Sequence, residues 1–137
     1  MKLLDSNPKV NAVLQTMTLA NQLNALADKL DDGPLKEWYR QAANSALLLA
    51  GSEASYSYKA EGVQKLALLA DTNLQSQDAL YSIQQNRLDL GAKLYDFPVD
   101  IAPNQKDVAL NLVGKVLDAM WGQYGGTLDR YTVGDSS

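Results

Sequence analysis

Residues 10–27 read VNAVLQTMTLANQLNALA: eighteen positions without one Lys, Arg, Asp or Glu, among which Asn, Gln and Thr recur. Leu19, Leu23, Leu26 and Leu30 follow a 4-3-4 spacing that stacks them in one stripe of an α-helix. Val10, Leu14 and Met17 begin a neighbouring stripe, which turns polar at Asn21 and Asn24. A helix that faces water carries charge, and one that spans a bilayer sheds its amides. This segment does neither, so its polar face is expected to be covered by protein. The helix is predicted over about 8–30. Ser6 or Asn7 caps it, Pro8 fits a first turn that needs no N–H, and Asp31-Asp32-Gly33-Pro34 stops it.

A second helix follows over about 35–50, with Leu35, Trp38, Tyr39, Ala42, Ala46 and Leu49 on one face. The short connection makes it antiparallel to the first. GSEASYSY, residues 51–58, reads as a break at Gly51 with Ser52 capping a new helix; the alternative is one continuous helix with a loose joint. From about 53 to 95 the pattern is helical, along Tyr56, Ala60, Val63, Ala67, Ala70, Leu74, Gln77, Tyr81, Gln84, Leu88, Gly91 and Tyr95. A straight helix of that length spans roughly 60 Å. That exceeds a globule of this size, so it either bends, at Gly62 or at Asp71-Thr72-Asn73, or projects toward other chains. Phe97-Pro98 ends it. A last helix is expected over about 104–124, with Val108, Leu112, Val116, Leu117 and Met120 as its apolar face and Gly125-Gly126 as its stop. The fold class is all-α: one helical domain over 1–126, then an extended tail or docking arm over 127–137.

Composition agrees. Leu and Ala dominate the 46% hydrophobic fraction, Phe occurs once, and 137 residues suffice for one core without staples. The absence of Cys and His removes disulfides, thiolate sites, Ser-His-Asp and Cys-His chemistry, and the usual zinc and haem ligands. The net charge of −4, with basic residues scattered, argues against a general nucleic-acid binder. MKLLDSNPKV lacks a signal-peptide core, and no stretch is apolar enough to span a bilayer.

Paired carboxylates can do acid–base work or hold a hard cation. Here Asp28, Asp31 and Asp32 surround a turn where capping accounts for them, and Asp96 and Asp100 flank a proline link. Tyr56, Tyr58, Tyr81, Tyr95, Tyr124 and Tyr131 lack the basic company of a base-stacking platform and read as packing residues. No catalytic, metal or cofactor residue is expected, and the chain is expected not to be an enzyme. The amides carry more information. Asn11, Gln15, Asn21, Gln22 and Asn24 of the first helix are matched by Gln64, Gln75, Gln77, Gln84, Gln85 and Asn86 later on. Amides lose less than ions when taken out of water, so they suit a face made for repeated protein contact.

The expectation is a structural protein that assembles with copies of itself into a ring or tube. Its interface is placed on Leu19, Leu23, Leu26, Val63, Leu66, Ala70, Leu74, Gln77, Tyr81, Gln84, Leu88 and Tyr95. The alternative is a helical adaptor or chaperone for one protein partner. Residues 54–94, ASYSYKAEGVQKLALLADTNLQSQDALYSIQQNRLDLGAKL, resemble in style the Ala-, Gln- and Ser-rich long helices of internal virion proteins of short-tailed bacteriophages. That resemblance implies a protein packaged in the capsid and ejected to form a channel. Its partners would be copies of itself, other structural proteins of the assembly, and nucleic acid passing without specific binding. Membrane contact would come only through the assembly. It implies a virion location, and otherwise a cytoplasmic one. No diagnostic motif accompanies the resemblance, it transfers no catalytic residue, and connector or tail adaptor proteins fit the same style.

Overall fold

The computed structural model describes residues 8–64, 70 and 75–136, the last eight of them as backbone only. Every regular element among them is helical: α1 (Pro8–Asp28), α2 (Pro34–Glu61), α3 (Ser76–Ala92), a 3-10 turn (Pro103–Gln105) and α4 (Lys106–Ser136). The fold is all-α, as the apolar spacing predicts.

Each helix packs antiparallel to the next, and α4 returns against α1, which closes an up-down-up-down four-helix bundle. Cross-links fix the directions. Asn86 of α3 donates to the Leu48 carbonyl and the Ser52 hydroxyl of α2. Seven residues later, Trp38 Nε1 donates to the Lys93 carbonyl. At the opposite end, the Lys9 ammonium at the start of α1 donates to the Gln123 carbonyl of α4. In this order α1 and α3 lie on a diagonal.

Leu19, Leu23 and Ala27 of α1 meet Leu35, Trp38, Tyr39, Ala42, Ala46 and Leu49 of α2, all buried. From α3 come Leu80, Ile83 and Leu90. Phe97 closes one end, edge-on to Trp38 with ring centroids 4.9 Å apart. A smaller cluster of Val10, Val13, Ala50 and Ala54 sits toward the other end, with Val63 packed against it.

Four sequence expectations are corrected. The chain does not break at Gly51: α2 runs through it to Glu61. Ser52 caps nothing; its hydroxyl donates to the Leu48 carbonyl one turn back, within the helix. Burial of Ala50, Ser52, Glu53, Ala54, Ser55 and Ser57 holds the backbone helical, outweighing the cost of about 1 kcal/mol for a mid-helix glycine. The single helix over 53–95 is not formed either. Gly62 adopts φ 69°, ψ 30°, the left-handed conformation that glycine enters without a Cβ penalty, and its N–H and that of Val63 close on the Ser57 carbonyl.

The last helix does not stop at Gly125-Gly126 but continues to Ser136, so residues 127–136 form no extended arm. Tyr124 and Leu128, four apart, are both buried and carry the helix across the glycines. A Cβ at Gly125 would lie 2.5 Å from the Trp121 ring, so this glycine makes room for a side chain and ends nothing. Finally, the apolar face of α4 is Ala109, Val113, Val116, Met120, Tyr124 and Leu128. Val108, expected on that face, is 60% exposed, and Leu112 is only half-buried. Ser6 and Asn7, the expected α1 cap, lie outside the described residues.

Candidate interaction surface

Because α1 spends Leu19 and Leu23 on the chain's own core, its outward face is Leu14, Gln15, Thr18, Asn21, Gln22 and Ala25, all exposed and none charged. The charges of α1 stand at its ends. Lys9 pairs with Glu61 at 3.7 Å and lies 4.4 Å from the Tyr124 ring centroid. Asp28 forms an ion pair with Arg40, whose Nη1 also donates to Asn24 Oδ1. Beside this face α1 and α4 leave a groove of about 430 Å³, lined among others by Asn11, Gln15, Gln22, Leu112 and Val116, with Lys115 its one charged residue. It runs on toward the start of α1 as a second hollow of about 370 Å³ sharing Asn11 and Gln15, lined by Ala119, Gly122 and Gln123 and by no charge. Four amide side chains border the pair of grooves: Asn11, Gln15, Gln22 and Gln123.

A separate groove of about 520 Å³ lies between α3 and α4, lined by Leu88, Gly91, Leu94, Tyr95, Leu117 and Trp121 with Arg87 and Asp118. Here Tyr95 is 90% exposed, Leu88 49% and Trp121 42%. The Arg87 guanidinium lies 5.0 Å from the Trp121 ring centroid.

The expected interface residues therefore separate. Leu19 and Leu23 are buried in the chain's own core, Leu19 at the floor of the α1–α4 groove. Leu26, Val63, Ala70 and Gln84 are half-buried, the first two packed on the chain's own core clusters. Gln77, Tyr81, Leu88 and Tyr95 are exposed, and of these Leu88 and Tyr95 share the α3–α4 groove. Leu66 and Leu74 lie outside the described residues. Of the carboxylates weighed as acid–base pairs, Asp28 pairs with Arg40 and Asp32 with Lys36 at 3.4 Å. Among the described residues no cluster of three metal-ligating side chains occurs, and no helix is long and apolar enough to cross a membrane.

One chemically distinctive residue escapes the sequence reading. Glu53 is fully buried within α2, and its Oε1 lies 2.9 Å from the Thr16 hydroxyl of α1, while Oε2 has no partner. Burial pushes its carboxyl up to about 8, offset in part by the Thr16 bond. Nearby the hydroxyls of Ser57 and Tyr124 are 2.9 Å apart. Burial foremost, and then the charge of Glu53, hold the Tyr124 phenol well above its ordinary range. The signal was present: Glu53 continues the buried series 42, 46, 49 by four residues, and only the assumed break at Gly51 hid it.

No family model matches the chain, and no curated protein or solved structure matches it.

Proposed function

We propose that the protein is a non-enzymatic structural component that assembles with copies of itself, using the charge-free outer face of α1 as one contact surface. The observation that carries this reading is the run Leu14, Gln15, Thr18, Asn21, Gln22 and Ala25, exposed along α1 without a charge, in a chain of net charge −4. Copies of an acidic chain repel one another, and contact through a neutral face places least charge in the interface. Amides on such a face find hydrogen-bond partners at a lower desolvation cost than ions.

The second surface is the α3 side, where Gln77, Tyr81 and Leu88 are exposed. Since α1 and α3 are diagonal, the two surfaces point away from each other. A copy that joins α1 to the α3 side of its neighbour makes a head-to-tail contact, which closes into a ring or extends into a tube. The likeness of residues 54–94 to internal virion proteins extends the proposal to a virion component that forms a genome-ejection channel. The turn at Gly62 takes the single long helix out of that likeness and leaves its composition.

Light scattering on the purified chain at tens of micromolar tests the reading. A multimer is expected, with rings or tubes in negative stain. A clean monomer, alone and with its natural partners, overturns it. The α3–α4 groove favours one other reading, an adaptor that seats a partner's apolar side chain beside Tyr95 and Trp121. A monomer that forms a one-to-one complex is the result that would select it.

A further inference from the structure

The Thr16 hydroxyl has one proton and two neighbours to satisfy, the Ala12 carbonyl at 2.9 Å and Glu53 Oε1 at 2.9 Å. Were Glu53 ionised, both contacts would draw on that one proton. With a neutral acid each contact has its own: Glu53 O–H donates to Thr16, and Thr16 donates to Ala12. No ion pair reaches Glu53 among the described residues, and the carboxyl is fully enclosed. An unpaired charge in such a place is far costlier than a neutral acid.

We propose that Glu53 is carried as the neutral acid and acts as a proton-held latch, joining α2 to α1 through Thr16, so that loss of the proton loosens this end of the bundle. The step is a plain deprotonation: the carboxyl O–H bond breaks, the proton passes to hydroxide or a solvent base, and a buried carboxylate remains. That carboxylate keeps at most a share of the Thr16 proton and has no donor for Oε2, so it is relieved by admitting water between α1 and α2.

Among the described residues, the charged and titratable groups around it do not supply the missing counter-charge. On α1, Lys9 is directed to the Gln123 carbonyl, to Glu61 and to the Tyr124 ring. On α4, Tyr124 is a phenol bonded to Ser57. On α2 itself, Tyr56 stands edge-on to Tyr124, and Glu61 is acidic. On α3, which meets the same turn of α2 through Asn86, the adjoining Arg87 lies over Trp121. The surrounding α2 side chains, Ser52, Ala54, Ser55 and Ser57, are small, and the apolar contact that opposes opening at this end is the compact cluster of Val10, Val13, Ala50 and Ala54. The upward shift of the Glu53 carboxyl by burial runs in the same direction.

The chain contains three glutamates, Glu37, Glu53 and Glu61, so side-chain carboxyl labelling of glutamate yields three resonances to follow from pH 4 to 9.5 in the full chain. The resonance absent in E53Q is expected to move with a midpoint of about 8. Across that midpoint the wild type is expected to lose the near-ultraviolet tyrosine signal and to bind a hydrophobic dye. E53Q, whose amide N–H can donate to Thr16, is expected to do neither. If no glutamate resonance titrates near 8, the proposal is overturned, and the wild-type measurement stands even if E53Q fails to fold. Late titration without loosening, or E53Q loosening like the wild type, overturns the latch.

Discussion

Trp38 Nε1 donates to the Lys93 carbonyl across 3.0 Å, binding the first turns of α2 to the turn that ends α3. The same lysine reaches back: its Nζ donates to Gln41 Oε1 at 2.9 Å. With Phe97 and Tyr39 edge-on to the Trp38 ring, this end of the bundle is closed by one aromatic group and these two hydrogen bonds. Trp38→Phe keeps most of the packing and removes the donor. The Lys93 carbonyl still accepts from the Asp96 N–H, so it is not orphaned. The expected loss is about 1–2 kcal/mol of unfolding free energy, read from urea denaturation.

Two glycines of one segment are expected to respond with opposite signs. Gly51 lies inside α2, and a Cβ added there would meet nothing within 4 Å, so Gly51→Ala is expected to stabilise the chain by about 0.5–1 kcal/mol. Gly62 holds a left-handed φ of 69°, so Gly62→Ala is expected to destabilise it by about 1 kcal/mol. Thermal unfolding of both variants compares them. A loss at Gly51 would contradict a continuous α2.

Stability should fall as pH rises from acid toward mild alkali, because the Glu53 pKa is raised in the fold. Below about 4.5 the folded and unfolded states both hold the proton, and the contribution is fully present. Between about 4.5 and about 8 only the folded state holds it, so stability declines by at most about 1.4 kcal/mol per pH unit. Above about 8 the loss is complete. Urea midpoints for wild type and E53Q should converge at acid pH and separate progressively between about 4.5 and about 8, with E53Q the more stable.

The proposed self-assembly should be dispersed by charge placed on the outer face of α1, with the fold left alone. Gln15 and Gln22 are exposed, so Gln15→Glu with Gln22→Glu is expected to change the melting temperature little and to shift light scattering toward monomer. Unchanged assembly would remove α1 from the interface. A matched change at Tyr81, Tyr81→Asp, probes the opposite surface, where that ring is 53% exposed.

The helical class and the α1–α2 hairpin follow from residue order alone, because apolar spacing and a DDGP stop are local properties. The stripe 35, 38, 39, 42, 46 and 49 was readable for that reason, and each of its members is buried. Three matters were decided only by the assembled bundle. Gly51, Gly62 and Gly125 are one residue type with three outcomes. Packing of Ala50 and Ala54 keeps the first helical, the second takes a left-handed turn, and the third sits against the Trp121 ring. The two sides of α1 were likewise indistinct in one dimension, and enclosure by α2 and α4 assigns Leu19 and Leu23 to the interior and Gln15 and Gln22 to the surface. Glu53 became a buried acid only when Thr16, thirty-seven positions away, met it across the helix pair. Local sequence dictates where a helix is favourable, but the energy of a buried group depends on which distant neighbours surround it.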